Sequence, residues 1–532
     1  MNEYGEDNNA SSLNMEQPSL SLPRVSAPAS EPFIADRKDG IFALLAFVLG
    51  FCFAHWVLFS WQGWGVTLFT LGYCAVITVY LLKKGVCIPR SGWFWLAIVV
   101  LTGLSFALWA NKGLGPWPAL LLFGSAIYWI ICANNVQILG KTGDLLGLDV
   151  INALFIIPFS NFLCQYHSLA LLGRNRKTAS KQFIAIALGL LLTLIVTSAV
   201  LPLLLKADGG GFAKVTGGFL NLMHNMRSTV WETIVYAILA VPIGAYLFGL
   251  AAGSTHKRGC HTFSEDSTLR FFSGLRILPP ATIYTLLGLL CALYVLFIGS
   301  QLPYFFSAFI GQRPAGWQVY SQYARSGFFE LCGIAAINLF VLLAANLLGQ
   351  KPGKDSTALK ILNSLLAILT LVLIATALSK MVMYIGAYGL SMRRLLPCVF
   401  MVFMAVLCGG AVALQKWSFS ITRLAVGVGV VMLCLLCLGD ADSYVANYNA
   451  ERYLSGTLKS FDVGILYRSG PAGVGPALQL YEQGHDESLQ ADLQKYLLAQ
   501  QKAARSVEQP AECWQTAQAS RLIQEHTALD SR

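Results

Sequence analysis

Ionisable and amide side chains inside otherwise apolar segments are the residues of this sequence that could perform chemistry. The stretch Tyr320–Leu348 carries Arg325 and Glu330 at the start of a run long enough to cross a bilayer. A charge at mid-membrane costs about 3 kcal/mol on insertion scales, and less near the end of a span. Asn338 follows Glu330 by about 80° round a helix, so both should face roughly the same side. They predict a contact for a substrate or an ion. The alternative is a carboxylate near the headgroups that pairs with an arginine for folding.

A second polar set follows at helical spacing. Its members are Lys380, Tyr384, Tyr388 and Ser391. On a continuous helix they share one face, and Arg394 falls close to the same line, next to Arg393. Such a stripe could line a wet path or bind an anionic lipid headgroup. The alternative is an interfacial helix whose tyrosines lie among headgroups and whose Lys and Arg extend toward water.

A third set of acidic, amide and basic side chains follows the last apolar run: Asp440, Asp442, Asn449 and Arg452. Their oxygens could bind a cation, but the spacing lacks the Gly and Glu of a calcium loop. A helix N-cap at Asp440 or Asp442 is the preferred interpretation. The loop containing His256, Cys260 and His261 supplies at most three zinc ligands at an unusual spacing, so we predict no metal. No nucleotide-binding or hydrolase motif occurs, and no cofactor is predicted.

The elements that carry these residues are membrane helices. The chain is 56% hydrophobic and 12% charged, whereas about a quarter of a soluble domain is charged. Apolar runs of roughly 20 residues, which suffice to span a bilayer as helices, recur along the chain. We predict an all-α, polytopic integral membrane protein with spans at 41–59, 64–82, 93–110, 116–133, 183–205, 230–252, 281–299, 327–348, 359–378, 395–414 and 421–438.

Residues 145–166 could add a twelfth span, but they contain Asp149, Asn152, Pro158, Asn161 and Gln165. If they do not cross, the loops on the side of the N-terminus carry about twice as many Lys and Arg as the others. This bias favours eleven spans, an interfacial or re-entrant 145–166, and a cytoplasmic N-terminus in a bacterial inner membrane. Eleven spans would place the C-terminal tail outside the cytoplasm, and twelve would place it inside.

The predicted organisation has three parts. Residues 1–40 are polar and poor in large apolar groups, which predicts a disordered tail. Residues 41–439 form the multi-span domain, and 440–532 form a polar, mostly helical tail in which Leu489, Leu493 and Leu497 recur at helical spacing. The positive net charge lies in short loops without a basic stripe, so membrane lipids are expected partners and nucleic acid is not.

Three motifs resemble a bacterial polytopic membrane family known only as a domain of unknown function, of the 4173 or 4153 type. They are YARSGFFEL at 323–331, YIGAYGLSMRR at 384–394 and DSYVANYNAER at 442–452. Phe461-Asp462 and Pro476-Ala477-Leu478 resemble the short pattern that follows, so the resemblance covers about 280–480. Lys380 departs from the arginine expected there, which keeps the charge and loses a bidentate donor. The resemblance implies an integral membrane protein and no particular activity.

Three functions remain open at this point. Transport of a small or amphiphilic solute is the leading hypothesis, because ionisable groups in spans tend to face a bundle interior. A membrane-embedded enzyme on a lipid-linked substrate would use Glu330 as a general base. A sensor or scaffold would act through its tail. Transport predicts that Arg325, Glu330, Lys380, Tyr384 and Tyr388 line a polar site within the membrane, whereas the enzyme would use the cationic stripe to hold a phosphate.

Overall fold

Long helices form wherever the sequence has an extended apolar run. The computed structural model describes residues 33–171, 189, 193, 196, 200, 228–260, 268, 270, 273–309, 320–350, 357–484, 486–506 and 509–530. Side chains are described for these residues except at 228–231, 301–309, 320–326 and 527–530. The predicted span at 183–205, apart from its isolated positions, therefore lies outside the described residues, as do residues 1–32, His261 and the side chain of Arg325.

The first group of helices comprises α1 (Arg37–Trp56), α2 (Gly63–Lys83), α3 (Arg90–Leu108), α4 (Trp117–Ala133), α5 (Leu146–Ser160) and α6 (Cys164–Ala170). The second comprises α7 (Ser228–Thr255), α8 (Pro280–Phe309), α9 (Tyr320–Leu348), α10 (Thr357–Tyr388), α11 (Met392–Leu414) and α12 (Ile421–Leu438). In the described part of the chain, 9 helices are long and apolar enough to cross a membrane, or 10 with the bent pair α5–α6. The predicted all-α, polytopic membrane fold is confirmed.

Local chemistry explains where several helices begin and end. Asp36 and Asp39 form a reciprocal capping box at the start of α1, each side chain accepting from the other residue's backbone N–H at 2.9 Å. Helix α1 therefore begins at Arg37, within the segment predicted as tail. Helix α10 continues through Lys380 to Tyr388, ten residues beyond the predicted end of that span, because one lysine does not interrupt helical geometry.

The two ends of the bundle are distinct. One end, here called the head end, holds residues 36–39, 83–88, 134–145 and 255–260. The other, the tail end, holds residues 57–63, 109–116, 388–392 and 438–442. Helix α7 runs antiparallel to α1, since His256 contacts Asp39 and Tyr236 contacts His55. The C-terminal helices pack on the tail end, opposite residues 36–39 of the head end.

Helices α5 and α6 are bent by 44° relative to each other, and α5 contains a π-helical turn at Asn152–Ile156. Asp149 accepts from Ile138 N at 2.9 Å, and Arg258 donates to Cys164 Sγ at 3.3 Å, so both arms contact the head end. Between these contacts, Leu154 O accepts from the Tyr246 hydroxyl on α7. This is the geometry of a broken span or a re-entrant segment.

The outer surface of the helices is apolar, as a bilayer requires. Large side chains on α8 and α9 are widely exposed, including Leu289 (68%), Leu296 (72%) and Phe340 (68%). A soluble protein rarely exposes contiguous apolar surface of this extent. Close packing occurs instead between helices: a Cβ at Gly50 would lie 2.6 Å from Ala240 O, so α1 and α7 approach through small residues.

The C-terminal helices are α13 (Ala441–Leu454), α14 (Gly464–Ser469), α15 (Val474–Gln483), α16 (Glu487–Ser506) and α17 (Trp514–Asp530). They have a core of their own, in which Leu493 and Tyr496 are fully buried against α13 and α15. A second cluster joins Val445 and Ile465 of the tail to Cys437 of α12 and to Leu114 in the turn between α3 and α4. Helix α13 is therefore shared between the tail and the membrane domain.

Candidate functional site

Lys380 and Glu330 lie together at the edge of α9 and α10. A Cβ built on Gly327 would lie 2.7 Å from Lys380 Nζ, so the lysine crosses the α9 backbone where a glycine leaves room. Glu330 lies three residues, about one turn, further along α9. Lys380 is half-buried and Glu330 is exposed, so the pair faces outward toward lipid. Gly327 belongs to the first motif, and Lys380 lies one turn before the second, so the two motifs are close together on adjacent helices.

Asn338 does not join this pair. It is fully buried and lies between three helices, accepting from the Tyr294 hydroxyl at 2.6 Å and donating to Thr370 Oγ1 at 3.0 Å. Thr370 in turn donates to Leu366 O at 2.7 Å. The amide is satisfied on both sides, so it fixes the packing of α8, α9 and α10. Sequence spacing alone cannot distinguish this role from a ligand contact.

The second polar set is divided by the end of α10. Gly389 adopts φ +78°, and Ser391 has the extended conformation of the N-cap residue of α11. The prediction of one continuous face from Lys380 through Ser391 to Arg394 is therefore wrong beyond Tyr388. Tyr384 and Tyr388 remain neighbours, with ring centroids 5.1 Å apart.

Arginines close the C-terminal end of α10. Arg394 lies over the Tyr384 ring at 4.4 Å and donates to Tyr388 O at 2.8 Å and to Gly389 O. Arg452 donates to Ile385 O at 3.2 Å and to Gly386 O at 2.9 Å. The last carbonyls of a helix lack intrahelical partners and carry partial negative charge, so cations there are stabilising. Arg393 is exposed beside them.

Asn449 holds the turn that follows α10. Its Oδ1 accepts from Leu390 N at 2.8 Å, and its Nδ2 donates to Leu390 O and to Val445 O, both at 2.7 Å. A Cβ at Gly389 would lie 2.2 Å from this Oδ1. Glycine is therefore required there both by its positive φ and by the approach of the amide. Through Asn449 and Arg452, the second and third motifs contact each other directly.

Asp440 and Asp442 begin the tail. Asp440 is the N-cap of α13, accepting from Ser443 N, and also accepts from Gln515 Nε2 at 3.0 and 2.9 Å. Gln515 Oε1 accepts from Ala110 N at 3.1 Å, so one buried amide bridges α17 to the tail end. Burial raises the pKa of Asp440. The N-cap prediction is confirmed, and the described residues contain no group of His, Cys, Asp and Glu arranged as a metal site.

Asp442 is almost fully buried, at 2% exposure. Its Oδ2 accepts from Gly113 N at 2.8 Å, and its Oδ1 has no hydrogen-bond partner among the described residues. Burial raises the pKa of Asp442 to about 6, and the nearby charge of Asp440 acts in the same direction. The carboxyl group can therefore take up or release a proton near neutral pH.

An apolar cavity of about 620 Å³ opens between α9, α11 and α12 in the tail-end half of the membrane domain. Its lining includes Phe329, Phe400 and Leu436, and Leu114 and Trp117 close it toward the tail end. Phe329 immediately precedes Glu330, and Leu114 follows the Gly113 whose amide binds Asp442. Two lining residues are therefore chain neighbours of Glu330 and of the Gly113 that binds Asp442.

A buried ionic cluster at the head end was missed by the sequence analysis. Asp39 is fully buried and accepts from the Tyr80 hydroxyl at 2.8 Å, while Lys84 Nζ lies 2.8 Å and His256 Nε2 lies 3.3 Å from its carboxylate. Tyr80 and Lys84 are four residues apart, a spacing that places both on one helical face. That spacing was the available signal, but Asp39 itself resembles an ordinary charged flank of a first span.

These features define the class as a multi-pass α-helical membrane protein whose C-terminal helices are fastened to one end of its bundle. The model of the family described as Domain of unknown function (DUF4153) matches residues 96–480, and the chain belongs to this family. The predicted family is therefore confirmed, over a longer segment than the motifs covered. No curated protein and no solved structure matches the chain.

Proposed function

We propose that this protein transports an amphiphilic solute that enters sideways from the tail-end leaflet. The observation that carries the proposal is the apolar cavity of about 620 Å³ beside the Lys380–Glu330 pair. Its size lies within the range typical of small-molecule sites, roughly 300–1,000 Å³. An apolar tail would occupy the cavity, and a polar head would contact the pair at the lipid-facing edge of α9.

The chemistry of the lining favours an amphiphile over a small ion. Aromatic and aliphatic side chains cannot replace the hydration of an ion, and desolvating a charge without compensation is costly. They do match a hydrocarbon chain. The pair at the edge carries both signs of charge, so it complements a zwitterionic or hydrogen-bonding head better than a strongly anionic one.

We infer a bacterial cytoplasmic membrane as the location, with residues 1–40 in the cytoplasm. The excess of Lys and Arg in the loops on the side of the N-terminus supports this orientation. The tail helices α13 to α17 would then lie on the opposite side, where Asp440 and Asp442 fasten them to the tail end. Enzymatic labelling of an accessible tail position in intact cells tests the orientation, and labelling only after lysis would refute it.

A pair of glycines on α12 provides a matched test of the cavity. A Cβ at Gly429 would lie 3.4 Å from the Phe403 ring, whereas a Cβ at Gly427 would meet nothing within 4 Å. We expect Gly429→Leu to reduce labelling of the cavity by a photoactivatable fatty-acyl probe about tenfold, which corresponds to about 1.4 kcal/mol. Gly427→Leu should leave labelling unchanged. Equal labelling in both variants would refute occupancy of the cavity.

Transport is tested separately in proteoliposomes, by following the exchange of a fluorescent zwitterionic amphiphile between leaflets. We expect Glu330→Gln and Lys380→Met to slow this exchange while cavity labelling persists, because they change the edge and leave the cavity intact. Exchange no faster than in protein-free vesicles would leave the protein as a binder of amphiphiles and refute transport.

A membrane-embedded enzyme on a lipid-linked substrate is the second candidate. It is favoured by one observation: the buried Asp442 has a pKa of about 6 and an Oδ1 without a hydrogen-bond partner among the described residues, and it accepts from the amide of Gly113, which precedes the cavity-lining Leu114. A general acid–base group needs a pKa near the operating pH. The exposed Glu330 is less suited to this role. Loss of chemical turnover in Asp442→Asn, with cavity labelling retained, would support it.

A further inference from the structure

Two other cavities meet at the bent segment on the opposite half of the molecule. One, of about 380 Å³, lies at the head end and is lined by Ser160, Cys164, His167 and Arg258, with Phe33, Phe159 and Leu163. The other, of about 510 Å³, is apolar and is lined by Phe162, Ile243 and Tyr246, among others. Phe159 lines both, so the polar pocket and the apolar cavity are adjacent.

The polar pocket has the charge of an anion site. Among the described residues, its ionisable lining consists of Arg258, His167 and Cys164, without a carboxylate. Arg258 Nη1 donates to Cys164 Sγ at 3.3 Å, which is a weak acceptor, and its Nε is buried without a hydrogen-bond partner among the described residues. A guanidinium with unsatisfied donors binds phosphate or carboxylate oxygens well.

The apolar cavity supplies the rest of an amphiphile. Tyr246 precedes the end of α7 at Thr255 by nine residues, which is about 14 Å at 1.5 Å per residue. That depth is about half of the ~30 Å hydrocarbon core, and the cavity continues from there to Val57 and Trp61 at the tail end. Phe159 and Leu163 are exposed by 60% and 56%, so the route from the pocket to the cavity passes over apolar side chains.

We propose that this junction is a binding site for an anionic phospholipid of the head-end leaflet. The phosphate lies in the pocket beside Arg258, Ser160 and His167, and one acyl chain passes over Phe159 into the cavity beside Tyr246 and Ile243. This site is distinct from the tail-end cavity and does not depend on the proposed transport. The packing of the bent segment α5–α6 against α7 would then depend on which lipid is bound.

The test measures lipid binding to the purified full chain. Native mass spectrometry would follow the titration of detergent-solubilised protein with phosphatidylglycerol or with phosphatidylcholine, and thermal unfolding would be recorded in parallel. We expect phosphatidylglycerol to bind more tightly and to raise the unfolding midpoint. Arg258→Gln should weaken its binding about tenfold. The neighbouring Lys257→Gln is the matched control, because Lys257 is exposed and does not line the pocket.

A second variant keeps the test decisive if Arg258→Gln does not fold. Phe159→Ala removes a largely exposed ring that the chain would cross, so it should fold normally and still weaken phosphatidylglycerol binding several-fold. Equal loss in Arg258→Gln and Lys257→Gln would show a general charge effect and overturn the site. If inorganic phosphate alone raised the unfolding midpoint as much as phosphatidylglycerol does, the site would be one for a free anion, and the lipid would be overturned as its occupant.

Discussion

Replacing Asp442 by asparagine should change how the stability of the protein depends on pH. In the folded protein the carboxyl is buried at 2% exposure, and burial raises its pKa from 3.8 to about 6. The folded state therefore holds a proton that the unfolded chain releases between these two values. The stabilisation from this proton is fully present below about pH 4 and is lost as the pH rises through about 6.

The size of the effect follows from the shift. A shift of about 2 pKa units corresponds to about 3 kcal/mol, since each unit is worth 1.36 kcal/mol. Asparagine cannot ionise, so Asp442→Asn should remove this pH-dependent loss. The substitution also replaces the charge-assisted hydrogen bond from Gly113 N and puts an amide nitrogen or oxygen where Oδ1 lacks a partner. Both changes shift the stability by an amount that does not depend on pH. The difference in the free energy of unfolding between variant and wild type should therefore change by up to about 3 kcal/mol between about pH 4 and about pH 8.

The assay is unfolding in mild detergent, followed by tryptophan fluorescence over this pH range. Trp109 and Trp514 have ring centroids 5.6 Å apart at the contact between α17 and the tail end, so their emission reports on this region. Asp492→Asn is the control, because Asp492 is exposed on α16 and pairs with Lys495 one turn away. Parallel pH profiles for wild type and Asp442→Asn would refute a raised pKa at this residue.

Three further changes test the contacts that hold the bundle and tail. Gly389→Ala should destabilise by about 2–4 kcal/mol, since it combines a positive φ with a Cβ 2.2 Å from Asn449 Oδ1, and a normal melting temperature would contradict this. Asp39→Asn should cost about 1–3 kcal/mol, as measured by chemical unfolding, because it removes the charge that Lys84 and His256 share while Asp36 still pairs with Lys84 at 3.0 Å. Gln515→Ala should release α17, seen as faster tryptic cleavage at Arg521 with the membrane helices intact.

Most of the fold was predictable because membrane helices are defined by properties that a single sequence contains. Length and apolarity identify the spans, and lipid leaves helix as the only backbone solution for them. Where the prediction missed, polar residues were the cause. The predicted span at 359–378 stops before Lys380, whereas α10 continues to Tyr388. The predicted first span starts at residue 41, because Arg37 to Gly40 resemble the charged residues that flank a membrane helix, whereas α1 begins at Arg37.

The candidate site was less predictable, because side-chain partners lie far apart in sequence. Helical spacing correctly placed Tyr384 beside Tyr388. It could not reveal that Gly389 ends the helix, or that Asn338 is already satisfied by Tyr294 and Thr370. Nor could it reveal that Lys380 lies against the α9 backbone at Gly327, one turn before Glu330, where the missing glycine side chain leaves room for the lysine. Sequence spacing shows which residues share a face of one helix, whereas these contacts join residues of two different helices.

The polar residues of the quoted motifs share a physical task that does not depend on any substrate. Breaking the chain inside or beside a membrane exposes carbonyl and amide groups that lipid cannot satisfy. Arg394 and Arg452 satisfy the carbonyls at the end of α10, and Asn449 satisfies Leu390 in the turn that follows. Because two of these three residues belong to α13, removing the tail would leave the end of α10 unsatisfied. The tail is therefore a structural part of the membrane domain, and a truncation before Asp440 should destabilise the whole bundle.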